Sequence, residues 1–205
     1  MRALRVRLVV AVAAAALLAG CAGSPASRYY TLASPVPSGS TGASSSAGPA
    51  VSVGPVTIPA LVDRPEIVVT VGRNEVWLDE YHRWAAPLAD AIGLALVGQL
   101  AALLPSPQVT LLSQSPGGPT GARVAIEVQR FDSVPGSHAL LDAAFTVHDT
   151  VTGRTTTGRT TVREPVREPG YDALAAAHSR ALARLAADIT TAIRDVSAPG
   201  SSPAR

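Results

Sequence analysis

The chain has 205 residues, of which 47% are hydrophobic, and a formal net charge of +2 at pH 7. All 17 of its basic residues are arginine, and the absence of lysine excludes a Walker-type phosphate loop, Schiff-base chemistry and a lysine general base. A single cysteine, Cys21, leaves no intramolecular disulfide and no multi-thiolate metal site.

In chain order, Arg2, Arg5 and Arg7 precede Leu8–Gly20, a run of apolar and small residues. Positive, then apolar, then small is the order of a secretory signal peptide, predicted here over residues 1–20. The apolar run is too short to cross a bilayer, which takes roughly 20 residues. Leu18-Ala19-Gly20-Cys21 resembles the lipobox of bacterial lipoproteins, in which the cysteine is acylated and becomes the first mature residue. An odd cysteine in an exported protein is otherwise an unpaired reactive thiol. The resemblance implies a diacylglycerol and an amide-linked chain of the palmitate kind on Cys21. One acyl chain anchors only reversibly, at about 0.8 kcal/mol per buried methylene, whereas several anchor durably. Ala22, rather than an acidic residue, follows the cysteine. By analogy with enterobacterial sorting this favours the periplasmic face of the outer membrane over the inner membrane. Without residues 1–20 the chain keeps 14 arginines against 15 acidic residues, so no basic nucleic-acid footprint survives.

Residues 21–50 read as a tether: a short polar stretch, the segment Arg28-Tyr29-Tyr30-Thr31-Leu32, then a Ser/Gly/Pro-rich linker over 34–50. Adjacent tyrosines followed by an apolar residue argue that Tyr29–Leu32 docks on the domain, since disordered tethers rarely carry them.

The folded domain is predicted over residues 51–196. Val51–Pro59 alternates as a strand, Ile67–Val71 is a β-branched run, and Glu75–Leu78 is a short strand beyond Gly72-Arg73-Asn74. A helix is expected from about Ala85 to Leu104, with Pro87 in its first turn and Leu88, Ile92, Leu96, Leu100, Leu103 and Leu104 on its buried stripe. Gln108–Leu112 is a candidate strand, and Arg123–Phe131, Leu141–His148 and Arg154–Arg163 form an alternating meander. A last helix over Tyr171–Val196 carries Leu174, His178, Leu182, Leu185, Ile189 and Ile193 on one stripe, and residues 197–205 are a frayed tail. The expected fold is α+β: a mainly antiparallel sheet with two amphipathic helices on one face.

Little in the chain points to catalysis. The four histidines lack metal-ligand spacing, and no nucleophile elbow is present. His178, on an apolar helical stripe, reads as a hydrogen-bonded core histidine. Asp79 and Glu80 alternate in direction on a strand, and Arg163-Glu164 and Arg167-Glu168 read as solvated charges. The expectation is no enzyme activity, no metal and no cofactor. Five of the eight aromatic residues fall in two stretches, Tyr29-Tyr30 and Trp77, Tyr81 and Trp84, which makes either a structural seam or an interaction surface. Arg83 is placed to pair with Asp79 or to stack on Trp84.

Three blocks carry a family resemblance: Arg28–Leu32 after the cysteine, Val53–Pro65 with Pro59, Asp63 and Arg64, and Glu80–Leu88 with Tyr81, Arg83, Trp84 and Pro87. In this order they resemble the ABC-type transport auxiliary lipoproteins, the PqiC-like family. The resemblance implies a non-catalytic outer-membrane lipoprotein of an MCE-type system moving lipids or other hydrophobic molecules. Its partners would be an MCE-domain periplasmic protein and inner-membrane transporter components, with Tyr81, Arg83 and Trp84 at or beneath the docking surface. A ring of copies suits such a conduit, although no residue specifies one. Two other readings remain: a stand-alone lipid carrier, which needs an enclosed apolar cavity, and an envelope-assembly lipoprotein.

Overall fold

The computed structural model describes residues 25–33, 50–104, 108–112 and 121–198. The signal peptide, Cys21, residues 34–49 of the linker and the tail from 199 onward lie outside the described residues. Ten elements follow in order: β1 Arg28–Tyr30, β2 Ala50–Thr57, β3 Glu66–Thr70, β4 Val76–Trp84, α1 Leu88–Leu103, β5 Val109–Leu111, β6 Gly121–Val134, β7 His138–Asp149, β8 Thr155–Pro165 and α2 Tyr171–Ser197. Ala50, grouped with the linker by composition, is the first residue of β2.

The fold is α+β, with mostly antiparallel pairing. The alternating segments form the predicted meander β6-β7-β8. Instead of one sheet there are two, a five-stranded sheet β5-β2-β6-β7-β8 and a three-stranded sheet β1-β4-β3. Parallel pairs join β2 to β5, β2 to β6 and β1 to β4. Alternation along a strand reports which face is buried and not which strand lies beside it. A parallel pair needs a long crossover, and β3, β4 and α1 supply it between β2 and β6.

Both helices join the apolar core over the five-stranded sheet. On α1, Leu88, Ile92, Leu96 and Leu100 are 1% exposed or less, whereas Leu103 is 43% exposed and Leu104 lies past the helix end. The helix begins at Leu88 rather than Ala85 because Pro87 holds an extended ψ of 131° at the N-cap position, and a residue before proline is driven out of the α region. Gly93 lets α1 rest on β5: a Cβ there would sit 2.9 Å from a Leu111 methyl. The α2 stripe is buried as its spacing predicts, His178 included. Glu164 is not part of a solvated pattern. Its side chain is 12% exposed, with Arg180 Nε at 3.2 Å and Arg184 Nε at 3.8 Å, so it ties β8 to α2.

Candidate functional site

Strand β4 organises the site. The sequence suggests a short strand followed by a lead into the helix, but Val76–Trp84 is one nine-residue strand at the centre of the smaller sheet. The Tyr29–Leu32 segment docks against it: Arg28, Tyr29 and Tyr30 lie beside His82, Arg83 and Trp84. Leu32 joins the core, and the Ala33 amide donates to Ser179 Oγ of α2 at 2.9 Å. Two apolar anchors and a hydrogen bond thus seat β1.

A bulge in β4 sets its side-chain directions. Glu66 of β3 lies opposite Arg83, while the next residue, Ile67, lies opposite Asp79, so Glu80, Tyr81 and His82 have no β3 partners. Asp79 and His82 thereby share one side, with His82 Nδ1 at 3.0 Å from Asp79 Oδ1. The Tyr171 hydroxyl donates to Asp79 Oδ2 at 2.8 Å, and the Tyr81 amide donates to Oδ1 at 3.0 Å. The His82 ring stacks on Tyr171 at 4.0 Å and on Tyr30 at 5.7 Å between centroids, so β1, β4 and α2 meet in one aromatic cluster. Burial pushes the Asp79 carboxyl up, but the hydrogen bonds from His82, Tyr171 and Tyr81 outweigh it and hold the pKa below the usual carboxylate value. Burial, then the adjacent carboxylate, drives the Tyr171 hydroxyl well above its ordinary pKa.

At the other end of β4, Trp84 is buried, edge-on to Phe131 at 6.2 Å and to His178 at 6.3 Å. His178 stacks on Phe131 at 3.8 Å, and its Nε2 shares a 2.7 Å hydrogen bond with Ser133 Oγ. Complete burial pushes its pKa down to about 3, so the ring is neutral, as a core histidine should be.

The two longer blocks come together here. The Trp84 amide donates to the Pro65 carbonyl at 2.8 Å, and a groove of about 360 Å³ opens between them, lined by Asp63, Arg64, Pro65, Trp84, Ala85, Ala86, Pro87 and Leu88. Pro59 stands just before it, its carbonyl accepting the Val62 amide at 3.0 Å to turn the chain into the Asp63-Arg64 corner. Arg64 Nε is buried without a hydrogen-bond partner. Arg83 does not pair with Asp79 or stack on Trp84. Its guanidinium meets Glu66 at 3.0 Å and donates to the Glu80 carbonyl at 3.0 Å, because the bulge places Glu66 opposite it and leaves Asp79 to His82 and Tyr171.

The five clustered aromatics therefore divide. Tyr30 and Trp84 make the seam, while Tyr29, Trp77 and Tyr81 are exposed. Sequence reasoning missed Glu66, at the head of a β-branched run, and Tyr171, the opening residue of α2. Both act across the fold, and no local pattern marks them. Among the described residues no group of three or more His, Cys, Asp and Glu side chains is placed to hold a metal, and no helix is long and apolar enough to cross a membrane.

The groove is lined mainly by apolar side chains and opens at the surface of a small α+β domain, with the buried Arg64 Nε in its wall. The chain belongs to the ABC-type transport auxiliary lipoprotein component family, whose model matches residues 30–190. It is thus a transport-associated auxiliary lipoprotein. No curated protein matches it in sequence. Its fold is similar to a crystal structure of an uncharacterised protein, with a TM-score of 0.66 at 17% identity, covering 84% of this chain and all of that one. It is also similar to a DUF330 family protein from Xanthomonas campestris, with a TM-score of 0.60 at 19% identity, covering 82% of this chain and 95% of that one.

Proposed function

We propose that this chain is the outer-membrane lipoprotein of an MCE-type lipid transport system, held by acyl chains on Cys21 and acting without catalysis of its own. Residues 1–20 direct export, residues 21–50 tether, and the domain over 51–196 receives the MCE-domain protein whose inner-membrane components energise transport. The groove between Asp63-Arg64-Pro65 and Trp84–Pro87 is the docking surface, flanked by exposed Tyr81 and by Arg83.

The observation that carries this reading is the meeting of two distant blocks, both central to the family resemblance, at one groove with the buried, unpaired Arg64 Nε in its wall. A chain segment with an apolar side chain and a carboxylate or backbone carbonyl would fill the floor and satisfy Arg64.

The test is a mild-detergent pull-down of the tagged lipoprotein from its host, beside Arg64→Ala and Tyr81→Ala variants. Recovery of an MCE-domain protein by the parent, reduced at least several-fold in the variants, supports the docking groove. Equal recovery by all three removes the groove from the interface. Lipid recovered without any protein partner favours the carrier reading instead.

A further inference from the structure

The β3–β4 hairpin ends in an exposed apolar tip. Trp77 is 65% exposed, Val71 49%, Val76 41% and Leu78 38%, all within eight residues. The turn closes on itself through Val71 and Gly72 amides donating to the Glu75 carbonyl, and no described element packs over Trp77. Along β4, Val76 and Leu78 face the side opposite Trp77, so the hairpin end is apolar on both faces, and exposed apolar surface of this kind marks a contact site.

The tether indicates what covers it. Strand β1 runs parallel to β4, with Arg28 level with His82. The chain entering β1 therefore arrives from the end of the sheet where β4 begins, which is the hairpin end. Trp77 lies five residues before His82, on the hairpin side of the β4 bulge. Cys21 lies seven residues before Arg28, within about 25 Å even when fully extended. The chain thus enters β1 from the end of the small sheet that carries the apolar tip.

We infer that the β3–β4 hairpin tip is a second membrane contact, with Trp77, Val71, Val76 and Leu78 seated in the lipid interface of the bilayer that carries the acylated Cys21. The inference rests on the proposed acylation of Cys21. Tryptophan suits the boundary between headgroups and acyl chains because its ring is apolar and its indole N–H keeps a polar partner. Arg73 and Glu75 at the turn balance in charge, so the contact depends on apolar burial rather than on anionic lipid. The consequence is orientation. The groove lies at the opposite end of β4 from Trp77, so a membrane-seated tip turns it toward an approaching periplasmic partner.

The experiment reconstitutes the purified full-length lipoprotein, its Cys21 acylation read by mass spectrometry, into phosphatidylethanolamine/phosphatidylglycerol vesicles with or without brominated acyl chains. Trp77→Phe reports the emission of buried Trp84 alone. The expected result is loss of most Trp77 emission in brominated vesicles and protection of Trp77 from aqueous iodide, while Trp77→Phe, with only the buried Trp84, is quenched by neither agent. Vesicle-bound, acylated protein whose Trp77 is quenched by iodide and not by brominated lipid overturns the hairpin contact while leaving the anchor intact. Protection from both quenchers overturns it in favour of a protein interface, including one between copies of this chain. An unmodified Cys21 overturns the anchor, and the inference with it.

Discussion

The Tyr171 hydroxyl donates to the Asp79 carboxylate at 2.8 Å, joining the first residue of the last helix to the middle of the central strand of the small sheet. This bond, with the His82 ring stacked at 4.0 Å on Tyr171, couples the β4 bulge to the body of the domain. Everything proposed for β4, groove at one end and apolar tip at the other, depends on that strand being held in one orientation.

Tyr171→Phe should therefore lower stability by about 0.5–1.5 kcal/mol near neutral pH, the usual net value of a hydrogen bond. The Asp79 pKa lies below the usual carboxylate value, so its bonds add stability that is present above that value and lost as pH falls through the folded-state pKa. The gap between parent and variant in urea midpoint should close in acid. A gap of the same size at all pH values would show that packing of the ring, and not its hydroxyl, holds the strand.

His178 provides a second pH prediction with its own window. As pH falls below 6.5 the unfolded chain protonates this residue, while the folded chain refuses the proton until about 3. Stability should fall with pH across that range, by at most about 1.4 kcal/mol per pH unit for the one proton. His138 is also depressed, by burial and by the nearby Arg163, so it adds a slope of the same sign. His178→Gln should flatten the dependence by the His178 share alone, read from urea midpoints of parent and variant at matched pH. An unchanged slope would exclude His178 as its source.

Arg83 and Trp84 are neighbours with very different structural worth. The Arg83–Glu66 pair has side chains 35% and 22% exposed, so a double-mutant cycle should return only about 0.2–1 kcal/mol. Trp84→Ala removes a buried ring from the core and should cost about 3–5 kcal/mol. Loss of partner recovery in Arg83→Ala, with its melting curve nearly unchanged, would report on the interface. The same loss in Trp84→Ala would report on folding.

Gly121→Ala should be among the most damaging single-methyl additions in the chain. A Cβ at Gly121 would meet the backbone carbonyl of Ala50, its partner at the start of the parallel β2–β6 pair, well inside contact distance. Backbone atoms cannot step aside as a side chain can, and a loss of about 1–3 kcal/mol is expected from thermal or urea unfolding. A neutral result would mean that the β2–β6 pairing begins later than Ala50.

Much of the domain was legible residue by residue. The meander shows as period-two alternation through Val124, Ile126 and Val128, and α2 as the stripe from Leu174 to Ile193. In both, a side chain's burial follows from its own neighbours in sequence. The His178 environment was legible for the same reason. Less legible was the start of α1, where Ala85 and Ala86 bend and Pro87 is extended ahead of Leu88. The ion pair of Arg83 was not legible at all. A bulge changes which residue stands opposite, and that offset belongs to two strands together.

The chemistry this chain lacks and the period of its longer strands and helices are local properties, and they were enough to place it among α+β domains. Which strands lie side by side was decided elsewhere. The parallel seats of β1 on β4 and of β2 on β6 depend on apolar surfaces meeting after crossovers of many residues, and no window of sequence contains both partners. The groove between Arg64 and Trp84, the hold of Tyr171 on Asp79 and the exposure of Trp77 all follow from those pairings. A side chain's partners across a sheet are set by register, which exists only once the chain has folded.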